Sequence, residues 1–464
     1  MVSPTFHSVF MRLVLSSLLF MCCLGTSIVA AQSSETAPPE PQLKPLVDQV
    51  EAERLRDDVQ AMVDFGTRHT LSDTTSDTRG IGAARRWVHD TFESISEDCG
   101  GCLEVFYQKD TIEAGVTERI PEDTEVYNVV AIQRGTTYPD RYVLMGGHLD
   151  SRVSDIMDAE SDAPGANDAA SGVAGSIEAA RVLSQHEFAS SIVYVGFTGE
   201  EQGLFGAQIA AENATENDWE LFGVLNNDMI GNVEGINGAT DNTTFRIFSQ
   251  VRPDSLHEDT WSTRFFAGEN DGPSRQLARY VARMADAYVD NLDPELIYRL
   301  DRFGRGGDHR AFNDEGFPSV RVMEYLENYN RQHQDLRTED GIEYGDTVDG
   351  IDFTYAAKIT GVNVASLASL ASAPPAPTDV AIGGAVQPST TLSWTPHEDA
   401  ENVEGYVVYW RPTSAARWTN RRYVGDVTEH TLENIMIDNY LFGVAAIGPD
   451  GYESPVVFPQ RMMR

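Results

Sequence analysis

Apolar side chains recur at helical spacing from Leu46 to Phe65 (Leu46, Val47, Val50, Leu55, Val59, Met62, Val63) and stop at Gly66. That period predicts an amphipathic helix, and a second follows over residues 81–95. Short apolar runs predict strands over 103–108, 127–133 and 142–146, then a helix over 172–184. Residues 192–197 are apolar without interruption, which suits a strand buried on both faces. The series continues with a helix at 204–212, a strand ending near Asn226, a helix at 274–289, a strand at 318–324 and a closing helix at 353–370. Helices alternating with buried strands predict an α/β fold, a mostly parallel mixed sheet sandwiched by helices.

The pattern changes after Ala373-Pro374-Pro375-Ala376-Pro377, a stiff linker over 373–377. Beyond it no helical period remains. Short alternating strands at 390–394, 405–411, 422–424, 429–432 and 440–447 predict an all-β sandwich over 378–464. At the other end, Arg12, the apolar stretch from Leu13 and the small residues Ala30 and Ala31 read as a signal peptide over 1–31. A Pro/Ser/Glu-rich linker at 32–44 separates it from the α/β domain at 45–372. No other segment approaches 18 uninterrupted apolar residues, so no membrane partner is expected once the signal is cleaved.

With 72 acidic against 34 basic side chains the net charge is −38, which excludes a nucleic-acid partner because phosphate contacts need a basic face. Cys22 and Cys23 leave with the signal, so Cys99 and Cys102 are the remaining pair, in DCGGC. A CxxC is open to three readings: redox motif, half of a metal site, or structural disulfide. Export to an oxidising compartment, whether secreted or periplasmic, favours the disulfide.

Five segments place polar residues just past apolar strands, where α/β sheets build their sites. They are Gly147-His148-Leu149-Asp150-Ser151, Gly165-Ala166-Asn167-Asp168, Thr198-Gly199-Glu200-Glu201, Asn226-Asn227-Asp228 and Arg331-Gln332-His333. Singly each is a weak signal. Together the first four bring a histidine and at least four carboxylates to the strand ends with little basic charge nearby. Burying that set without a cation is costly. Histidine and carboxylate donors suit zinc or another divalent first-row metal, in a number that suits two ions.

From about Val47 to about Leu370, including FGTRHT at 65–70, the chain resembles the M28 family of zinc metallopeptidases, many of them aminopeptidases. The resemblance is carried by VLMGGHLDS, PGANDAASGVAG, VGFTGEEQGLFGA and LNNDMIG. It implies two zinc ions, with His148 and Asp228 on one, Glu201 and His333 on the other, and Asp168 bridging both. It further implies Glu200 as general base, Asp150 as the carboxylate that orients the His148 imidazole, and a cis peptide at Asp168-Ala169. Asp308-His309 resembles the family's SDHxxF segment with Gly307 in place of serine, so His309 competes with His333 for the last ligand position. The distance to the closing helix favours His333. Gln332 stands where many relatives carry a tyrosine, which leaves Tyr329, Tyr325 or His309 as the oxyanion partner. His309 and Tyr329 are accordingly the candidate substrate-binding residues. The tail, with TLSW, VEGYVVYWR and YLFGVAAIGPDGYESP, resembles a fibronectin type III domain, with Trp394 in its core and Tyr440 at the tyrosine corner.

The function expected is an exported di-zinc exopeptidase with peptide substrates, an aminopeptidase by its acidic surroundings. The alternatives are a carboxypeptidase gripping a terminal carboxylate through Arg302, Arg305 and Arg310, or a non-catalytic binding protein on the peptidase fold. In either case the tail is free to contact a surface or polymer.

Overall fold

The computed structural model describes residues 37–251, 267–400 and 402–463. The expected signal peptide at 1–31 lies outside the described residues.

An eight-stranded mixed sheet forms the centre. Its strands are β1 (Leu103–Ile112), β2 (Thr124–Gln133), β3 (Tyr138–His148), β4 (Ser190–Phe197), β5 (Glu220–Asn227), β6 (Thr244–Ser249), β7 (Asp293–Ile297) and β8 (Ser319–Glu324). They lie in the order β1-β2-β4-β3-β5-β8-β6-β7. The central run β4-β3-β5-β8 is parallel, while β1, β2 and the β8–β6 pair are antiparallel. After β3 the chain turns to one side to make β4, then crosses to the other side to make β5. Such a reversal opens a crevice at the carboxyl ends of the strands.

Side chains alternate between the two faces of the sheet, as the pleat requires. Val129 and Ala131 of β2, Val143 and Met145 of β3, and Ile192 and Tyr194 of β4 enter one core. Helices Ala52–Val63, Gly80–Asp98, Ser171–Leu183, Pro273–Tyr288 and Phe353–Ser372 cover it. Val130, Ile132, Leu144, Val193 and Val195 point the other way, against Phe205–Glu216 and His309–Asp314. All eight residues of β4 are buried, which explains its unbroken apolar run.

The first predicted helix is two, Lys44–Val47 and Ala52–Val63, separated near Val50. Strands β6 and β7, a small hairpin of β9 (Arg337–Glu339) and β10 (Ile342–Tyr344), and two tail strands were not predicted. The tail consists of β11 (Thr378–Gly383), β12 (Thr390–Thr395), β13 (Gly405–Pro412), β14 (Asn420–Gly425), β15 (Glu429–Leu432), β16 (Tyr440–Ile447) and β17 (Arg461–Met462). They form a four-stranded sheet, β15-β12-β11-β17, and a three-stranded sheet, β14-β13-β16. Trp394, Tyr406, Val408, Phe442 and Val444 fill the core of this β part. Residues 37–464 form one compact unit, so the tail is packed on the α/β part. Buried charges fix the contact: Asp271 accepts from Arg279 and Arg411, and Glu453 from Arg283 and Arg421.

Cys99 and Cys102 are joined as a disulfide just before β1. No described helix is long and apolar enough to cross a membrane.

Candidate active site

His148 ends β3, and the segments after β4 and β5 deliver Glu200, Glu201 and Asp228 beside it. Two glycines permit this convergence. A Cβ on Gly172 would lie 2.0 Å from the Asn227 carbonyl oxygen, and one on Gly147 would lie 2.7 Å from the same atom. Only bare backbone lets β3, the 171–183 helix and the end of β5 approach so closely. The Ala166–Ala170 turn, which contains a cis peptide at Asp168-Ala169, carries Asp168.

The Asp168 carboxylate lies between two imidazoles. Its Oδ1 is 3.1 Å from His148 Nε2, and its Oδ2 is 2.9 Å from His333 Nε2. Glu201 Oε1 stands 3.0 Å from His333 Nε2, and Asp228 Oδ1 stands 3.7 Å from His148 Nε2. Among the described residues, two groups have donor atoms all within 4.8 Å of one another: His148, Glu200 and Asp228, and Asp168, Glu201 and His333. Asp168 also touches the first group through His148. The five residues expected as ligands, together with Glu200, are therefore brought to one place.

The electrostatics of the cluster call for added positive charge. Burial opposes a charge on either imidazole, yet Glu200 and the neighbouring Asp168 and Asp228 pull His148 well above its usual range. Against the same burial, Glu201 and Asp168 pull His333 up to about 10. Burial pushes the Glu200 carboxyl well above the ordinary carboxylate range. Glu201 Oε1 and Asp228 Oδ1 are buried with no hydrogen-bond partner among the described residues. Buried carboxylate oxygens without hydrogen bonds, facing two imidazoles, fit a metal centre, because a divalent cation satisfies both kinds of donor at once.

Other side chains fix the ligands from behind. His148 Nδ1 donates to the Asp150 backbone carbonyl at 2.9 Å, whereas the Asp150 carboxylate is 3.7 Å away. The expected carboxylate–histidine contact is thus made by the Asp150 main chain. The carboxylate itself accepts from the backbone N–H groups of Glu200 (3.2 Å) and Glu201 (3.0 Å) and from the Thr70 hydroxyl. It holds the turn that carries both glutamates, a turn entered through Gly199 at φ +78°. Asp346 accepts the backbone N–H groups of Asn167 and Asp168 and so fixes the Asp168 turn.

Two buried arginines complete the frame. Arg321 Nη2 lies 2.9 Å from Asp228 Oδ2, leaving Oδ1 to face His148. Arg68, fully buried, donates to the carbonyls of Leu149, Met62, Pro164 and Gly165, clamping the His148–Asp150 segment to the segment before Asp168. Arg152 pairs with Glu201 Oε2 at 2.8 Å and also reaches His333 Nδ1.

A cavity of about 550 Å³ opens onto this cluster. His309 does not line it: the residue is wholly buried, with Nε2 held by the Leu300 carbonyl, and burial lowers it to about 4. Tyr329 is 54% exposed and also lies off the cavity wall. Neither of the two expected substrate-binding residues therefore lines this cavity. Gln332 does line the cavity and donates to Asp168 Oδ2 at 2.9 Å. The roles of Arg321, Arg152 and Asp346 were missed, since a lone arginine in VRVME, after HLDS, or an aspartate in YGDTVDG, carries no spacing signal. Arg68 lies in FGTRHT, the one visible clue.

A mixed α/β sheet with histidines and carboxylates gathered at one end of its strands has the architecture and donor set of a zinc metallopeptidase. The sequence model described as Peptidase family M28 matches residues 128–352. A probable zinc metalloprotease of Leptosphaeria maculans is 42% identical over 424 residues, covering 91% of this chain and 97% of that protein. One from Pyrenophora tritici-repentis is 40% identical over 426 residues, covering 91% and 87%. Among solved structures, the LapA aminopeptidase of Legionella pneumophila shares the fold with a TM-score of 0.51 at 19% identity, over 71% of this chain and 73% of that one. The chain belongs to peptidase family M28 and is a zinc metallopeptidase.

Proposed function

We propose that the protein is an exported di-zinc exopeptidase, an aminopeptidase that removes N-terminal residues with Glu200 as its general base. The observation that carries this reading is the position of Asp168, whose two oxygens each face a different histidine. On this reading His148 and Asp228 hold one ion, Glu201 and His333 the other, and Asp168 both. Bound zinc supplies polarisation of the scissile carbonyl and acidification of the attacking water.

The remaining chemistry belongs to the chain. The Glu200 carboxylate accepts the proton of the attacking water and returns it to the departing amine nitrogen. Asp150 holds the backbone from which Glu200 and Glu201 project, so the base and its neighbouring ligand keep fixed, different directions. Arg321 orients Asp228, and Gln332 holds the outer oxygen of Asp168. Export is supported by the leader pattern at 1–31 and by the Cys99–Cys102 disulfide. The two-sheet tail supports a fibronectin III-like domain over 378–464 following a linker at 373–377.

One observation favours the carboxypeptidase alternative, the arginines that line the same cavity. Assaying one dipeptide series as N-blocked and as C-blocked forms, before and after chelation, separates the readings. The aminopeptidase reading requires that N-blocking abolishes chelator-sensitive cleavage and that C-blocking does not. Cleavage of N-blocked but not C-blocked peptides would reverse the assignment. Absence of chelator-sensitive cleavage from every peptide would remove the enzymatic reading altogether.

A further inference from the structure

A hollow of about 690 Å³ lies between the 70–74 segment, the first half of the 80–98 helix and the start of β2. It shares no lining residue with the cavity over the metal cluster. Arg85 stands on its wall and is only 8% exposed. The centre of its guanidinium lies 4.5 Å from the centroid of the Tyr127 ring. Among the described residues that guanidinium has no hydrogen-bond acceptor and no ion-pair partner. Burial holds it below its usual range, and Tyr127, Tyr107 and Glu125 offset this only in part.

The neighbouring charges are mostly engaged elsewhere. Arg86 is satisfied by the Thr74 and Ser76 carbonyls and by Asp77. Glu125 lies 3.3 Å from Lys109 and accepts from the Tyr127 hydroxyl at 3.0 Å. Asp123 accepts the Ala114 backbone N–H at 2.9 Å. Glu122, in the loop before β2, also walls the hollow. Its backbone carbonyl accepts from the Thr124 hydroxyl, while its carboxylate has no partner among the described residues. One hollow thus carries a buried, unpaired guanidinium and an unpaired carboxylate, with Leu71 and the Tyr107 and Tyr127 rings between them in its lining. A buried guanidinium without an acceptor is costly, and a ligand bearing charges of both signs satisfies both groups where a simple anion or cation satisfies one.

We infer that this hollow is a second ligand site, taking a zwitterionic amino acid or short peptide with its carboxylate on Arg85 and its ammonium group on Glu122. Such molecules are what an exopeptidase consumes and releases, so their supply at this site rests on the proposed peptidase reading. The site is also placed to act on catalysis. Thr70 walls the hollow, and its hydroxyl meets the Asp150 carboxylate at 2.9 Å, the group that holds the turn bearing Glu200 and Glu201. A ligand beside Thr70 bears on kcat without occupying the metal cavity.

The probe is free leucine on the zinc-loaded enzyme. It should lower kcat for an aminoacyl-anilide, and not only raise KM. Calorimetry should show a leucine site that Arg85→Gln weakens tenfold or more and that Arg85→Lys restores in part. N-acetyl-leucine lacks the ammonium group and leucinamide lacks the carboxylate, so each should fill this site at least tenfold more weakly. Glu122→Gln is the surface variant to use if Arg85→Gln does not fold: it should weaken leucine and leave N-acetyl-leucine unchanged. Leucine binding that is absent from the wild type, or that both variants leave intact, would overturn the inference. So would either analogue binding this site as tightly as leucine. An effect confined to KM, alongside Arg85-dependent binding, would overturn the link through Thr70. Absence of all peptide hydrolysis alongside Arg85-dependent leucine binding would count against the peptidase reading and leave the second site standing.

Discussion

Replacing Asp271 with asparagine tests whether the β tail is part of the catalytic fold or a separate module. The Asp271 side chain is fully buried, and Arg411 of β13 reaches its two oxygens at 2.9 Å and 2.8 Å. Arg279, from the 273–288 helix, lies 3.1 Å away, and Gln276 donates at 3.0 Å. Both arginines are almost completely buried, at 2% and 3% side-chain exposure, so neither can recruit solvent when the carboxylate is neutralised. Breaking one buried ion pair by removing a partner costs about 3–5 kcal/mol, and here one amide would face two guanidinium groups. At ~2.1 cal/mol/K per residue, a unit of 428 residues (37–464) has an unfolding entropy of about 0.9 kcal/mol/K. The expected fall in Tm is therefore about 3–6 °C. Differential scanning calorimetry should show this shift in one transition, and loss of peptidase activity on heating should move with it, at fixed zinc concentration. A separate transition for the tail, with the activity midpoint unmoved, would refute the coupling.

The other predictions address the site. Glu200→Gln should lower kcat by about 10²–10⁴ while the metal content measured by mass spectrometry stays near the wild-type value; loss of metal would instead make Glu200 a ligand. Arg68→Lys should destabilise the protein by about 3 kcal/mol or more in urea, since a lysine cannot serve the four carbonyls that Arg68 satisfies, and zinc affinity should fall with it. Burial alone would raise the Glu327 carboxyl, but Arg302 and Arg246 hold it below the usual carboxylate range. Its folded value is thus depressed, so its contribution is present above the unfolded value and is lost as the pH falls through the folded one. Stability measured from pH 6 to pH 3 should drop less steeply in Glu327→Gln than in the wild type.

Most of the sheet was legible because its central strands are buried on both faces and flanked by amphipathic helices. Strand β4, with eight buried residues, could hardly be read otherwise. Strands β6 and β7 escaped because they are short, and β7 carries a proline in a polar edge position. The long first helix was overpredicted: the apolar period continues through Val50, but the backbone breaks between Val47 and Ala52. His148, Glu201 and Asp228 were legible because each lies at or just past the end of an apolar strand, where the fold concentrates polar residues, whereas Asp168 and His333 lie in loops well beyond β3 and β8 and were legible through the family's motifs. The residues behind them were not. Arg321 and Asp346 act through contacts made only by tertiary packing, and Asp150 turned out to orient His148 with its carbonyl while its carboxylate holds the glutamate turn. The direction of the His309 ring, held to the Leu300 carbonyl, was not legible because the sequence shows only its neighbourhood.

The central claim is that Asp168 joins two metal positions, and the direct measurement is the zinc content of the purified, catalytically active protein. Titrating zinc into the chelated enzyme while recording bound metal and peptide hydrolysis should give two ions per chain, and His333→Ala should retain one ion with little activity. Full activity at one zinc per chain, or an unchanged content of two in His333→Ala, would contradict the account.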